Sequence, residues 1–479
     1  MAEEFVTEIT KKSEDFSEWY VQIVRRAELA DYSPLKGCMV IRPYGYTIWE
    51  NIQDALDRRL KETGHVNAYF PLFIPESFLA REAEHVKGFA PQVAWVTQGG
   101  DEILEERWAV RPTSEAIIGY MYSKWVRSWR DLPILINQWC NIVRWEKVTR
   151  LFLRTTEFLW QEGHTLHRTH EDALEEVLRI LEIYRDLVEN DLAIPVITGK
   201  KSPSEKFAGA LDTYTLEALM PDGKALQCGT SHDLGQNFSR AFEITFLDSD
   251  GQEKHAWSTS WGVSTRLIGG LIMVHGDDSG LIIPPKIAPY QVVIVPIFYG
   301  EEQSAVIAKA HELKEMLKKS EIRVKVDDRD EYTPGWKFSE WELRGVPLRL
   351  EIGPRDLASS EAVLVRRDTR EKIKTSWNAL PQQTSELLES LHRSLFERAK
   401  SYREANTHKS ENFEEFKGII EEKRGFILSP WCGSEACEEE VKNQTTATIR
   451  CLKEEEPEGK KCLVCGKPAK HLAYFAKSY

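Results

Sequence analysis

Residues 137–165, NQWCNIVRWEKVTRLFLRTTEFLWQEGHT, constrain the fold more than any other stretch of the chain. Their alternation predicts two β-strands joined by a short basic turn. A period of two puts Gln138, Cys140, Ile142, Arg144 and Glu146 on one face of the first strand. It puts Arg154, Thr156, Phe158, Trp160, Glu162 and His164 on one face of the second. Guanidiniums, carboxylates, an indole and an imidazole on strand faces are costly in a core unless something polar binds there. The alternative is a hairpin whose charges pair across the strands.

A chain of 479 residues has room for two to four domains. Its 42% hydrophobic and 29% charged residues are those of a soluble globular protein. No apolar run approaches the roughly 18 residues a membrane span needs. The start, MAEEFVTEITKKSEDF, is acidic and mixed, unlike a secretory or transit peptide, so a cytoplasmic location is expected. Eight cysteines are too few for a disulfide scaffold at this length and imply a reducing compartment. The net charge of −13 argues against indiscriminate nucleic-acid binding, though a local basic surface suffices for one RNA partner. Residues 323–374 are such a segment, with 12 basic and 11 acidic side chains.

The wording RWE…FLRTTEFLWQEGHT resembles motif 2 of the class II aminoacyl-tRNA synthetases. It is closest to the prolyl-tRNA synthetase family in the form found in archaea, eukaryotes and some bacteria. The resemblance runs along nearly the whole chain. It implies an α+β catalytic domain built on an antiparallel sheet, an α/β anticodon-binding domain and a small α+β zinc domain. The proline-rich PPKIAPYQ and the segment NALPQQTS divide these as 1–284, 285–382 and 383–479. The implied activity is ATP-dependent ligation of L-proline to tRNA(Pro) through a prolyl-adenylate, with Mg²⁺. The implied partners are proline, tRNA(Pro) and a second copy of the chain, with neither membrane nor DNA.

Taken in order, residues 13–31 predict an amphipathic helix and 46–63 a second, stopped by Gly64. VNAYFPLFIP follows as a strand broken by Pro71, and helix, strand and proline together resemble motif 1, the family's dimer element. Residues 85–100 predict a loop feeding a strand. In RPTSE, Thr113 or Ser114 can cap the next helix, with Glu115 in its first turn. In the prolyl family this loop reads the amino acid, which implies that Thr113 and Glu115 meet the proline ammonium; an acceptor hydroxyl and a carboxylate suit its two N–H donors. Residues 171–190 form a clear amphipathic helix.

CGTSHDLGQNFS also matches the prolyl family. The match implies that Gln227 and Thr230 contact ATP, and that His232 with Phe207 lines the proline pocket beside Trp160 and Glu162. Taken singly, such residues more often serve as structural hydrogen-bonders. Cys228 is assigned no chemistry. In WGVSTRLIGGLI, a strand runs into an arginine that opens an apolar helix, resembling motif 3. A helix N-terminus with a guanidinium favours a polyphosphate. The resemblance thus gives Arg144 the α-phosphate and the proline carboxylate, Arg266 and Arg154 the β,γ-phosphates, and Glu146 adenine or magnesium. Ser264 and Thr265 position the nucleotide or cap the helix. The span 165–255 has no room for the editing insertion of bacterial prolyl enzymes.

Beyond 290, strands and helices alternate, with helices over 301–319 and 335–345. PGWKFSEWELRGVPLRLEIGPRDL is the family's most specific piece here. Carboxylates and cations can meet guanine edges, so Lys337, Glu340, Arg344 and Arg355 are the expected anticodon readers, or else a solvated helix face. A helix over 384–405 opens the last domain. There Cys432-x4-Cys437 and Cys462-x2-Cys465, with Gly433 and Gly466 in knuckle-like turns, suit structural zinc; redox or free thiols are the alternative. Cys451 is spare. Tyr479 matches a C-terminal tyrosine that tucks back toward the catalytic domain in the family.

Two other functions compete. A silent paralogue would be expected to lose a phosphate arginine, and this chain keeps both Arg144 and Arg266. A threonyl enzyme would need a catalytic zinc, for which Cys140, Cys228, His164 and His232 are available in number.

Overall fold

A computed structural model describes residues 9–85, 92–298 and 302–479. Residues 86–91 of the expected 85–100 loop lie outside the described residues, as do residues 1–8 of the acidic start and residue 301 of the expected 301–319 helix. No helix among the described residues is long and apolar enough to cross a membrane.

The strands of the two larger sheets are numbered in chain order. The first sheet contains β1 (Val66–Asn67), β2 (Ile134–Val143), β3 (Glu157–His167), β4 (Val196–Lys200), β5 (Asp212–Leu219), β6 (Ala225–Gly235) and β7 (Trp257–Ser264). The second contains β8 (Val292–Pro296), β9 (Val324–Val326), β10 (Leu348–Ile352), β11 (Glu361–Arg366) and β12 (Lys372–Ser376). The last segment supplies β13 (Thr407–Lys409), β14 (Phe426–Trp431), β15 (Thr448–Lys453) and β16 (His471–Ala476).

The catalytic sheet is mostly antiparallel, as expected, but it does not stop at its own segment. Its order is β13-β14-β16-β15-β4-β5-β6-β7-β3-β2-β1, eleven strands continuous from the C-terminal domain to the hairpin. The two parts are stitched where Leu452 pairs with Lys200. A β-carbon on Gly199 would stand 2.3 Å from the Leu452 carbonyl oxygen, so only glycine lets the strands close. The chain end seals the same edge: Tyr479 donates its backbone N–H to Ala225 O at 3.2 Å and packs on the catalytic core, as the resemblance implied.

The hairpin is more irregular than its alternation suggests. β3 begins only at Glu157, so Arg144 to Thr156 form a long connection, and Arg154 and Thr156 lie before the strand. Arg150 and Arg154 form an isolated bridge inside that connection. Helix bounds differ for local reasons. Phe16–Arg26 starts where the Asp15 carboxylate accepts from the Ser17 and Glu18 N–H groups, and ends before Glu28 at φ +60°. Pro43–Glu62 starts three residues earlier than expected because Pro43 fits a first helical turn. His170–Asp186 passes into a π-turn, Leu187–Asp191.

The second sheet runs β9-β8-β10-β11-β12, its first three strands parallel and the rest antiparallel. The expected division at 382/383 falls inside one helix, Leu380–Ala405, because Pro381 sits in its first turn rather than interrupting it. Leu380, Leu387 and Leu388 pack on the second domain, whereas Leu391 and Leu395 pack with Ala193 and Ile282 of the first. Gly199→Ala should cost on the order of 1–3 kcal/mol through this overpacking. Thermal unfolding would check it, and an unchanged melting curve would mean that the seam is looser than the structure shows.

Candidate active site

The antiparallel strands β5, β6, β7, β3 and β2 carry their polar alternation on one face, and a cavity of about 610 Å³ opens over it. Its walls bring together residues far apart in sequence: Thr113 and Glu115, Arg144 and Glu146, Trp160 and Glu162, Phe207, Gln227, Thr230, His232, Ser264 and Arg266. Two expected residues do not line it. Thr265 is fully buried, its hydroxyl without a partner, because the helix Arg266–His275 starts behind the wall. Arg154 stands at the rim, half exposed, with its Nε 3.4 Å from Glu146.

The anion-binding side is built from two guanidiniums. Arg144 donates its Nε to Pro112 O at 3.1 Å and lies over the Trp160 and Phe158 rings at 5.2 and 5.8 Å. Arg266 donates its Nε to Leu153 O at 3.1 Å, and its backbone N–H donates to Ser264 Oγ. Among the described residues neither forms a salt bridge, although both open to the cavity. The desolvating cleft lowers the pKa of both, and for Arg266 the neighbouring Arg144 and Arg154 lower it further. Burial and the nearby Arg144 and Arg154 make the charge on Arg266 costly, and a bound polyanion relieves that cost.

The other end is acidic and closely hydrogen-bonded. Thr113 Oγ donates to Glu115, and Ser114 Oγ donates to Glu162. The expected capping role is therefore not taken: Ser114 holds the N-cap position of Glu115–Trp125 but makes no cap hydrogen bond, because its hydroxyl is spent across the sheet. Glu162 also accepts from Gln138 Nε2 at 2.9 Å and meets His164 Nε2 at 2.9 Å. Burial opposes the charge on both, yet the mutual bond outweighs it: the Glu162 carboxyl falls below its ordinary range and the His164 imidazole rises above its own. Gln138, Ser114, His164, Lys201 and Thr213 also belong to this site, although none was expected to contact the nucleotide or the proline. For Gln138 and His164 the strand alternation was the available signal.

His232 is pushed down to about 3 by burial and by the positive charges of Lys201, His164 and Arg144. Thr213 Oγ accepts from Phe207 N at 3.0 Å and lies 2.9 Å from His232 Nδ1. Phe207 packs on that ring with centroids 4.7 Å apart.

Away from the cavity, Cys432, Cys437, Cys462 and Cys465 bring their sulfurs within 4.8 Å of one another, with Cys432 3.7 Å from both Cys437 and Cys465. Tetrahedral zinc with bonds of about 2.3 Å sets sulfurs about 3.8 Å apart, so the quartet fits that ion. Gly433 and Gly466 have φ +84° and +68°, the left-handed turns such knuckles require. This is the one metal-suited group among the described residues. Cys140 and Cys228 are instead held as thiols, pushed up to about 12 by burial.

The expected anticodon readers divide. Lys337 is buried and donates to Asp327 O at 3.1 Å. Glu340 accepts from Arg329 and lies 3.0 Å from Arg344, which also reaches Glu28 of the first domain at 2.6 Å. Arg355 is exposed. Beside them Tyr332 and Trp336 stack at 3.9 Å beneath Arg329, a pair that helix periodicity did not single out.

Comparison with known proteins agrees with this geometry. Residues 95–275 match the tRNA synthetase class II core domain (G, H, P, S and T). Residues 291–387 match an anticodon binding domain, and 413–479 match the prolyl-tRNA synthetase C-terminal domain. The chain is 58% identical over 479 residues to the proline–tRNA ligase of Natranaerobius thermophilus, covering 100% of this chain and 99% of that one. It is 58% identical over 477 residues to that of Alkaliphilus oremlandii, covering 99% of each chain. It is 58% identical over 476 residues to that of Rubrobacter xylanophilus, covering 99% of this chain and 100% of that one.

The chain belongs to the proline–tRNA ligase family. The cavity over β2 and β3 lies within the segment that matches the class II core, and in it Arg144 adjoins the RPTSE loop through Pro112 O.

One consequence of the electrostatics can be measured. His232 should stay neutral well below pH 6, as ¹⁵N shifts of labelled histidine would show. Because the unfolded ring takes up a proton near pH 6.5 and the folded one only near 3, His232 should remove stability as pH falls between those values. A His232→Gln variant should lose less melting temperature than the parent over that range.

Proposed function

We propose that the cavity activates L-proline with ATP and then passes the prolyl group to the 3′-terminal ribose of tRNA(Pro). The observation that carries this reading is the pair Arg144 and Arg266, two guanidiniums without a salt bridge among the described residues, in one cleft with the Thr113–Glu115 pair. The proline carboxylate attacks the α-phosphorus; a new P–O bond forms, and the bond to pyrophosphate breaks with its electron pair. The nucleophile is already ionised, so no general base is needed, and catalysis rests on alignment and charge neutralisation.

In this reading Arg144 holds the α-phosphate and the proline carboxylate, and Arg266, with Arg154 from the rim, holds the β,γ-phosphates. Gln227, Thr230, Ser264 and Glu146 seat the nucleotide; Thr265, behind the wall, supports the turn. Mg²⁺ would neutralise phosphate charge beside Glu146. Thr113 and Glu115 receive the secondary ammonium, while Trp160, Phe207 and His232 enclose the ring. Glu162, its oxygens occupied by Ser114, Gln138 and His164, supplies charge and shape. Packing alone excludes near-sized amino acids only modestly, and we infer that the chain carries no cis-editing unit.

Arg355 is the exposed member of the expected anticodon set, and the stacked Tyr332–Trp336 pair offers an aromatic surface to an unpaired base. The quartet of thiolates would hold a structural zinc. The exposed Val66, Tyr69 and Phe73 in the motif 1 segment suit a homodimer interface in the cytoplasm.

ATP–pyrophosphate exchange with each amino acid in turn tests the reading. Proline should support exchange far better than any other, and exchange driven equally well by threonine would refute it. Arg144→Ala should lower exchange by about a hundredfold or more while leaving tRNA binding largely intact; parental exchange would remove Arg144 from the site. Cys462→Ser should lose bound zinc and melting temperature, and a stable, zinc-replete variant would disprove the ligand set.

A further inference from the structure

Residues 201–207, KSPSEKF, leave the end of β4 without regular structure, yet they form one wall of the active-site cavity. Lys201, Glu205, Lys206 and Phe207 line it, and Phe207 packs on His232. A loop without ladder hydrogen bonds needs other restraints to hold a pocket wall in place.

Some of those restraints are local, such as Phe207 N to Thr213 Oγ at 3.0 Å and Lys206 Nζ to Leu211 O at 3.0 Å, and two come from the C-terminal domain. Glu438, on the helix Glu435–Thr445, is buried and accepts from Ser202 Oγ at 2.6 Å and from Ser204 Oγ at 2.5 Å. A second tether lies beneath the same loop. Arg450 of β15 grips Glu217 of β5 through Nε at 3.0 Å and Nη2 at 3.1 Å, and Glu217 holds the buried Lys201 Nζ at 3.4 Å. A carboxylate taken out of water between two hydroxyls is a poor way to add stability, but it fixes both hydroxyls in space.

We propose that Glu438 is a positioning residue for the amino-acid pocket: through Ser202 and Ser204 it fixes the loop that sets Phe207 against His232. The C-terminal domain thereby shapes substrate binding from outside the catalytic domain, with Arg450 and Glu217 anchoring the same loop at Lys201. The inference rests on the proposed proline pocket.

The test uses the full-length chain in ATP–pyrophosphate exchange. Ser202→Ala with Ser204→Ala removes the tether from the loop side by deleting one oxygen from each residue, and leaves the cysteine quartet untouched. Glu438→Ala removes it from the other side. Both variants should raise the KM for proline by about fivefold, a part of the loss expected for the two hydrogen bonds removed because the loop is held elsewhere too, while the KM for ATP moves by less than about twofold. A purely structural role would instead lower the melting temperature and move both KM values together or neither. A folded serine variant with the parental KM for proline would overturn the proposal, and that variant decides the matter if Glu438→Ala does not fold. Absence of proline-dependent exchange in the parent would refute the functional reading itself, a separate outcome.

Discussion

The placement of Arg144 and Arg266 in one cleft is the constraint on which the chemistry of the site depends. Each Nε is fixed to a backbone carbonyl, Pro112 O and Leu153 O, so among the described residues neither guanidinium forms a salt bridge, although Glu115, Glu162 and Glu146 act on Arg144 through space. The result is a site preorganised for a polyanion, in which little reorganisation is left for the moment of reaction. The acidic end follows the opposite logic: Glu162 is saturated by Ser114, Gln138 and His164, and so stays charged in surroundings that would otherwise neutralise it.

The same sheet explains why the last domain is more than an appendage. Once β15 joins β4 at the glycine seam, Glu438 and Arg450 lie directly behind the active-site wall. The cysteine quartet sits at the start of the helix that carries Glu438, so whatever stabilises those knuckles also stabilises the tether. On the other side, Arg344 links Glu340 of the second domain to Glu28 of the first, and Arg367 pairs with Asp277. Three domains are thus fastened by charges lying largely out of bulk solvent, where a missing partner would be costly.

The alternation over 137–165 was enough to group Arg144 with Gln138 along the first strand and Trp160, Glu162 and His164 along the second, and the arginine opening an apolar helix marked Arg266. Spacing alone found the four cysteines, because a metal knuckle is a local structure whose ligands and glycines lie close in sequence. The capping role of Ser114 was legible but wrong. Its hydroxyl had a local use and a distant one, and only the approach of Glu162 decided between them. Lys337, Glu340 and Arg344 were expected to read the anticodon or to form a solvated helix face, yet Lys337 and Glu340 are buried against Asp327 and Arg329 of their own domain and Arg344 reaches Glu28 of the first.

What the sequence by itself determined were the strand and helix periods, the turn glycines, the cysteine pairs and the residue types of a nucleotide and amino-acid site. These are properties of neighbours within a few residues, where backbone geometry fixes the relation. Only the tertiary structure decided that both arginines face one cavity, that the last domain extends the catalytic sheet, and that Glu438 reaches Ser202 from 236 positions away. Such contacts depend on which strands lie side by side, and strand pairing between distant segments is set by the packing of whole faces rather than by any local pattern.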